Sequence, residues 1–248
     1  MPENENIKDL GKEQIINDII GELPTETSII VDLPSEGKFY TLKDPSQPIT
    51  LRPMTYEDEK SLVTLNKDQD PAAVLLQKCL ENINVQDLLL MDQLYLIMKL
   101  REISYGDDYN TLLICSHCKA ENPTTVKLSQ LNVNPIPDDF EDPRTVSLPG
   151  IKKDVKIRLP RIKDQKYLAN FENIEDNLWR FIVEIAGHTD KSIIASVIKK
   201  LPLKDIKTIL KAFKTDFGLD THVTLVCNNC GGGSVIDLPI DANFFNVN

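Results

Sequence analysis

The sequence has few aromatic residues and no long run of apolar ones. Aromatic residues make up 6% of its 248 positions and include one Trp, which leaves little for the stacking surfaces that bind single-stranded nucleic acid. The most apolar stretch, residues 88–103, is too short to span a bilayer and is interrupted by Asp92, Lys99 and Arg101. The first residues lack the basic and apolar regions of a secretory signal. We therefore expect a protein of the cytoplasm with no membrane partner.

Positive charge is also scarce. The chain has 28 Lys and Arg residues against 38 Asp and Glu residues, and its net charge is −10. A dense, salt-sensitive contact with phosphate needs clustered positive charge, so we expect no nucleic-acid partner. One lysine-rich segment is an exception, and its simplest interpretation is a solvated helix face. Its lysines are Lys199, Lys200, Lys204, Lys207, Lys211 and Lys214.

Motifs of catalysis are missing from the sequence as well. It contains no glycine-rich loop that could cradle a phosphate, no nucleophile elbow and no Cys–His dyad motif. Adjacent carboxylates such as Asp107-Asp108 and Asp138-Asp139 fall where turns or helix starts are expected, and acids are common there. The sequence therefore predicts a non-enzymatic protein with no small-molecule substrate.

Four of the five cysteines form two matched pairs. Cys115 and Cys118 make one C-x-x-C knuckle, and Cys227 and Cys230 make the other. Each pair lies between two extended runs, which is the pattern of half a zinc ribbon. Paired cysteines in the cytoplasm are more often metal ligands than disulfides, and four thiolates at this spacing typically close a tetrahedral zinc site. We predict one structural zinc ion on these four residues. The alternatives are unmetallated thiols, a zinc ion shared between chains, and an iron–sulfur cluster.

The remaining candidates near or outside the site have simpler interpretations. Four thiolates leave no open coordination position, which argues against a catalytic zinc ion. His117 lies inside the first knuckle and could replace a ligand, but it is more simply a solvated turn histidine. The fifth cysteine, Cys79, lies in an apolar run and is predicted to be a small buried hydrophobic residue.

The knuckles belong to a longer internal repeat. Tyr105-Gly106 stands ten and nine residues before Cys115, and Phe217-Gly218 stands ten and nine residues before Cys227. The offset between the two copies is 112 residues in both cases. This period indicates a duplicated domain rather than a solenoid.

The repeat continues upstream of the knuckles. Each copy has a short strand-like run that ends in arginine, at Arg52 and at Arg158, and each arginine is followed six residues later by aspartate, Asp58 or Asp164. A Leu-Pro turn precedes each run, and a helix is expected to follow it, beginning near residue 55 in the first copy and near residue 162 in the second. Residues 55–58 resemble a capping box.

These patterns predict an internally duplicated α+β fold. Its two pseudo-symmetric halves each run strand, helices, strand, knuckle, strand, and a shared four-cysteine zinc ribbon joins them. Closing a loop of roughly 110 residues costs about 4–5 kcal/mol, whereas structural zinc contributes on the order of 10–16 kcal/mol. We expect an arm and linker over 1–30, a first repeat over 31–131, an acidic, proline-rich connector over 132–145 and a second repeat over 146–248.

The N-terminal arm has the pattern of an amphipathic helix. Its apolar residues stand among acids and amides, and the pattern ends at Gly21 and Pro24. A helix of this length has nothing of its own on which to bury an apolar stripe, so it either folds back on the body or docks on another protein. The residues predicted to bind a partner are Leu10, Ile15, Ile16, Ile19 and Ile20.

Several segments resemble a known family, the baseplate hub and hub-assembly proteins of T-even-type contractile-tail phages. The resemblance covers about residues 30–130 and extends more weakly, through the repeat, to 146–248. It rests on Leu33-Pro34-Ser35-Glu36-Gly37-Lys38-Phe39-Tyr40, Leu51-Arg52-Pro53-Met54-Thr55 with Asp58-Glu59, the run from Leu94 to Ile103 that enters Ser104-Tyr105-Gly106, and Cys115 with Cys118.

The resemblance implies a non-enzymatic hub component or a chaperone-like assembly factor. Such a protein binds other baseplate or tail proteins in the host cytoplasm and can remain in the virion, and its knuckle cysteines are scaffold ligands. The alternative function is a zinc-ribbon module for nucleic-acid binding or transcription. That alternative needs basic residues around the knuckles, but only Lys119 and Lys127 flank the first, while Asp220 and Asp237 flank the second.

Overall fold

The computed structural model describes residues 28–66, 69–168, 177–240 and 242–245, together with residues 12, 14–16, 18 and 19. Over this part of the chain, α-helices combine with small antiparallel sheets, which confirms the mixed α and β character expected from the sequence. Residues 12, 14–16, 18 and 19 are helical. The α-helices that follow are α1 (Tyr56–Ser61), α2 (Pro71–Cys79), α3 (Leu90–Tyr105), α4 (Lys191–Ile198) and α5 (Leu203–Ala212).

The strands are short, and 3-10 turns connect many of them. The strands are β1 (Ile29–Ile30), β2 (Thr50–Leu51), β3 (Leu80–Glu81), β4 (Asp108–Ile114), β5 (Glu121–Lys127), β6 (Val133–Asn134), β7 (Arg144–Leu148), β8 (Lys153–Ile157), β9 (Ile182–Ile185), β10 (Gly218–Leu219), β11 (His222–Val226) and β12 (Gly233–Asp237). The 3-10 turns are Leu62–Thr64, Val85–Asp87, Leu128–Gln130, Ile162–Tyr167, Leu178–Arg180 and Ala242–Phe245. Each helix in the described ranges is too short or too polar to span a bilayer.

Local capping sets the helix starts. The Thr55 side chain accepts a hydrogen bond from the Asp58 backbone N–H, and the Asp58 carboxylate accepts one from the Thr55 N–H, so the predicted capping box is present. The helix expected near Ile162 is instead a 3-10 helix. Its N-cap is Arg161, which has no side-chain oxygen to accept a hydrogen bond from the first turn, so one condition for starting an α-helix is missing.

Two three-stranded antiparallel sheets have the same layout. In the first, β2 lies between β1 and β3, and in the second, β8 lies between β7 and β9. Each central strand is followed by an arginine whose backbone N–H donates to the carbonyl oxygen of the residue just before the third strand of the sheet. The Arg52 N–H donates to Cys79 O at 3.0 Å, and the Arg158 N–H donates to Phe181 O at 2.9 Å.

The same two arginines make bidentate ion pairs with buried aspartates. Arg52 contacts Asp58 at 2.7 and 3.2 Å, and Arg158 contacts Asp164 at 2.6 and 3.0 Å. Two parallel N–H to oxygen bonds fix direction as well as distance. Each pair therefore fixes the turn that leaves the central strand against the helix that follows it.

The main hydrophobic core combines residues that are far apart in the sequence. Most of it comes from β2, α2, α3 and the segments around them, but Leu238, Phe244 and Phe245 pack into it from the C-terminal part of the chain. The Tyr109 hydroxyl also donates to Pro239 O at 2.9 Å. A second core lies between the β7–β8–β9 sheet and helices α4 and α5. Residues after the second knuckle thus pack on the first part of the chain.

The acidic, proline-rich segment over 132–145 packs between these two regions. Its strand β6 pairs with β10, and Phe140 makes edge contacts with Phe39 and Phe217. Its Asp142 carboxylate lies 3.3 Å from the Arg161 guanidinium and accepts a hydrogen bond from the Leu159 N–H at 2.7 Å. The segment predicted as a connector therefore forms part of the contact between the regions that it links.

The buried Asp58 carboxylate predicts a specific loss of stability in acid. The Arg52 guanidinium lowers the pKa of Asp58 to about 2, below the ordinary value of about 3.9 expected in the unfolded chain. Its stabilising effect is therefore complete above about pH 4 and is lost as the pH falls towards 2. Between pH 5 and pH 2, the difference in unfolding free energy between the natural chain and Asp58→Asn should shrink by about 1–2 kcal/mol.

Chemical denaturation across this pH range measures the effect. The exposed carboxylate of Asp139 provides the control, because the unfolding free energy of Asp139→Asn should parallel that of the natural chain. A constant difference between the natural chain and Asp58→Asn would contradict the ion-pair account.

Candidate metal centre

Two β-hairpins present the four paired cysteines. Strands β4 and β5 form one hairpin and strands β11 and β12 form the other, which confirms the extended runs predicted on each side of the knuckles. The last pairs before the turns are Ile114 with Glu121 and Val226 with Gly233. Each knuckle therefore begins where the strand pairing ends.

The two knuckle turns have the same hydrogen bonds. The Cys115 N–H donates to Ala120 O at 3.0 Å, and the Cys227 N–H donates to Gly232 O at 3.0 Å. The residue after each second cysteine has a positive φ, 61° at Lys119 and 68° at Gly231. Glycine adopts this conformation readily, whereas lysine does so at a cost in free energy, so the first knuckle holds Lys119 in a conformation that the turn imposes.

The hairpins bring all four sulfur atoms together. Cys115 Sγ lies 3.8 Å from Cys230 Sγ, and Cys118 Sγ lies 3.6 Å from Cys227 Sγ. All four atoms lie within 4.8 Å of one another. The closest contacts join the first knuckle to the second, so sequence positions more than 100 residues apart meet within one chain.

The spacing of the four sulfur atoms fits tetrahedral coordination of one metal ion. A metal–sulfur distance of about 2.3 Å places the sulfur atoms of a regular tetrahedron about 3.8 Å apart, which agrees with the two contacts between knuckles. A disulfide needs sulfur atoms at about 2.05 Å, and all four cysteines are free. The four cysteines can therefore hold a metal ion without a large movement of the backbone.

A small apolar cluster supports the four sulfur atoms. Leu113 and Leu225, one from each hairpin, are buried together with Cys115 and Cys227. Alternation along β4 and β11 turns these leucines towards the other hairpin. The cluster keeps solvent away from one side of the sulfur atoms and holds the hairpins at the spacing that the cysteines require.

Asn122 is a supporting residue that the sequence analysis did not identify. It is 1% exposed, and its side-chain oxygen accepts a hydrogen bond from the Asn228 N–H of the opposite knuckle at 2.9 Å. Its side-chain nitrogen donates to Ala120 O, also at 2.9 Å. Asn122 thus links the backbones of both turns. A polar residue at an inward position of β5 was the only sequence signal for this role.

Hydrogen bonds and neighbouring sulfur atoms shift the pKa values of the knuckle thiols. Backbone N–H groups of Cys230 and Asn229 lower the pKa of Cys227 to about 6, and the Asn229 side chain lowers the pKa of Cys118. For Cys230, the Gly232 backbone lowers the pKa, but neighbouring sulfur atoms and burial outweigh it and raise the pKa to about 11. Four thiolates this close repel one another unless a cation lies between them, so the cluster favours a dication.

Two other predicted features have clear positions. His117 lies at the surface of the first knuckle with its Nε2 atom 3.2 Å from Gly233 O, so it bridges the knuckles through a backbone oxygen. The residues that surround the candidate metal position are the four cysteines. Cys79 is fully buried, as predicted, and burial raises the pKa of its thiol to about 11.

The predicted partner-binding residues of the arm are described in part. Leu10 and Ile20 lie outside the described residues. The side chains of Ile15, Ile16 and Ile19 are 60%, 51% and 62% exposed. These three isoleucine side chains are therefore largely exposed, whereas the apolar side chains of a packed helix are mostly buried.

Comparison with known proteins identifies one match. A family model described as T4 bacteriophage base plate protein matches residues 26–246, which is most of the chain. No curated protein and no solved structure matches the chain.

Loss of the Asn122 bridge should destabilise the knuckles. Asn122→Ala leaves the Asn228 N–H without its acceptor and should lower the unfolding free energy by about 1–2 kcal/mol. Chemical denaturation measures the change. Asn110→Ala is the matched control, because Asn110 lies in the same hairpin but is exposed, and its effect should stay within about 0.5 kcal/mol. Equal effects of the two substitutions would refute the role given to Asn122.

Proposed function

The chain belongs to the T4 bacteriophage base plate protein family, and on that premise we propose that it acts in the baseplate hub, as a hub component or as a chaperone-like factor in hub assembly. The match over residues 26–246 supports a baseplate role, and the resemblance of residues 30–130 to hub and hub-assembly proteins supports a place in the hub. A baseplate protein works by contact with other tail proteins, so the proposed role is binding rather than catalysis. The proposed locations are the host cytoplasm during assembly and the tail of the virion.

We further propose that the four cysteines bind one structural zinc ion. The sulfur spacing and the all-thiolate donor set support this, because soft thiolates in a tetrahedral arrangement are the typical ligands of structural zinc. The four sulfur atoms close the coordination shell, which leaves no position for a substrate. Cys115, Cys118, Cys227 and Cys230 would thereby clamp the two hairpins together.

An internal duplication is the proposed origin of this symmetry. The paired sheets, the two Arg–Asp pairs and the two knuckle turns all support it. A further parallel lies at the Leu-Pro turns. The Ser35 N–H donates to the buried Asp92 carboxylate at 3.1 Å, and the Gly150 N–H donates to the buried Asp205 carboxylate at 2.5 Å. An added Cβ at Gly150 would lie 2.3 Å from Asp205 Oδ2, which explains the glycine in the second copy.

The N-terminal arm is the proposed partner-binding element. Ile15, Ile16 and Ile19 present an exposed apolar side on helical residues, and exposed apolar surface of this kind favours a protein contact. In this proposal Leu10 and Ile20, which lie outside the described residues, also contribute to partner binding. The body, held by the cysteine cluster, would position the arm for that contact.

Zinc content and cysteine substitution test the metal proposal. The purified chain should contain about one zinc ion per chain by elemental analysis. Cys115→Ser and Cys227→Ser should each reduce the zinc content and lower the melting temperature of the whole chain, because each leaves an incomplete site that both hairpins share. Cys79→Ser is the control and should retain the full zinc content. If only one of the two knuckle substitutions affected zinc, the shared site would be wrong.

Affinity purification from infected host cells tests the functional proposal. The tagged chain should recover other baseplate or tail proteins in a fixed ratio. Ile19→Asp should reduce that recovery, whereas the matched substitution Gln14→Asp adds the same charge to a described helical residue without removing an apolar side chain. Recovery of no tail protein would count against a baseplate role. Equal recovery by both variants would show that the arm is dispensable.

A further inference from the structure

One surface of the chain carries an excess of positive charge, although the exposed Asp190 and Asp216 lie at its two ends in the sequence. We call it the lysine surface, and it comprises α4, α5 and the turns that follow them. Apart from Lys191, whose Nζ donates to Ile182 O, it has six lysine residues, all of them exposed, and within the described residues none of these six makes an ion pair. They are Lys199, Lys200, Lys204, Lys207, Lys211 and Lys214. Lysines elsewhere in the chain do pair, as Lys99 does with Glu102 at 2.8 Å and Lys156 with Glu184 at 2.9 Å.

The only acid between residues 191 and 214 does not reach this surface. It is Asp205, which is 0% exposed. Its carboxylate accepts hydrogen bonds from the Gly150 N–H at 2.5 Å and the Ile151 N–H at 3.1 Å. The lysine surface therefore stays positive on a chain whose net charge is −10. Like charges held together repel one another, and an acidic partner relieves that repulsion.

The lysine surface also carries exposed apolar side chains. Leu203, at the start of α5, is 74% exposed, and Ile193, on α4, is 44% exposed. Binding of phosphate alone would not bury these apolar side chains. The combination fits a partner segment that offers carboxylates together with apolar side chains.

The chain itself contains such a segment. Residues 1–22 hold six carboxylates and two lysines, and Ile15, Ile16 and Ile19 of this segment are exposed in the single chain. Within the described residues, neither the six lysines nor these three isoleucines are covered by another part of the same chain. We propose that the lysine surface binds the N-terminal arm, residues 1–22, of a second copy of this chain.

This inference rests on the proposed partner-binding role of the arm and names its partner. Each copy offers one arm and one lysine surface. Two copies can therefore exchange arms in a closed dimer, or associate head-to-tail with a free arm at one end and a free lysine surface at the other. Charge attraction across the contact brings the copies together, and salt weakens it. The apolar contacts of the three isoleucines add a component that salt does not screen.

Sedimentation equilibrium of charge-reversal variants tests the contact. The natural chain should self-associate in low salt and less so in high salt. Lys207→Glu with Lys211→Glu lowers the summed charge of the six lysine positions from +6 to +2, and Glu13→Lys with Asp18→Lys changes the side-chain charge of residues 1–22 from −4 to zero. Each double variant should raise the dissociation constant on the order of tenfold or more. An equimolar mixture of the two variants should associate again, because the unchanged acidic arm of the surface variant then meets the unchanged lysine surface of the arm variant.

A matched control separates the lysine surface from general charge effects. Lys43→Glu with Lys60→Glu reverses two exposed lysines outside that surface and should leave self-association unchanged. Circular dichroism spectra of all variants should match the spectrum of the natural chain, which checks that each variant is folded.

Three results would overturn the inference. They are a natural chain that stays monomeric at all concentrations, a mixture of the two variants that fails to associate, and carboxylate–lysine cross-links that form only within single chains in a mixture of isotopically labelled and unlabelled protein. Salt-sensitive binding of double-stranded DNA, lost in the surface variant and without self-association, would assign the surface to nucleic acid instead. A monomeric chain that still recovers tail proteins from infected cells would overturn the self-docking alone and leave the proposed function standing.

Discussion

The meeting of two hairpins at four sulfur atoms is the contact on which the account of this protein depends. Cys115 and Cys227 are separated by 112 positions in the sequence, yet their knuckles bring all four sulfur atoms within 4.8 Å of one another. Four sulfur atoms at this distance are poorly stable as thiolates alone and well suited to one dication. The proposed zinc ion would therefore join distant parts of the chain more strongly than the small apolar cluster of Leu113 and Leu225 could do.

The rest of the fold supports the same joining of distant segments. Phe244 and Phe245, near the end of the chain, pack into a core built mostly from the first half. The segment over 132–145 contacts both regions through Phe140 and Asp142. A body linked in this way resists separation of its halves, and that rigidity suits a protein that positions binding surfaces for other subunits. The lysine surface lies on α4 and α5, which pack into the second core of this body. That surface and the N-terminal arm are the places where partners are proposed to bind.

Features with local chemical signatures could be predicted from the sequence. The knuckle cysteines follow strands as expected, and the capping box at Thr55 follows from a hydroxyl and a carboxylate at fixed spacing. Features that depend on contacts between distant residues could not. Nothing local shows that Asn122 accepts a hydrogen bond from the opposite knuckle, or that Phe244 packs into the first core. The segment at Ile162 was predicted too closely from the first copy. The repeat predicted a helix there like the one after Thr55, but Arg161 cannot cap it as Thr55 does, and the segment is a 3-10 helix.

Zinc K-edge X-ray absorption on the purified chain distinguishes a shared cysteine site from other ligand sets, since it reports the atoms that contact the metal. Four cysteine ligands should give a single shell of four sulfur atoms at about 2.3 Å. A shell that contains nitrogen or oxygen, or fewer than four sulfur atoms, would contradict the shared cysteine site.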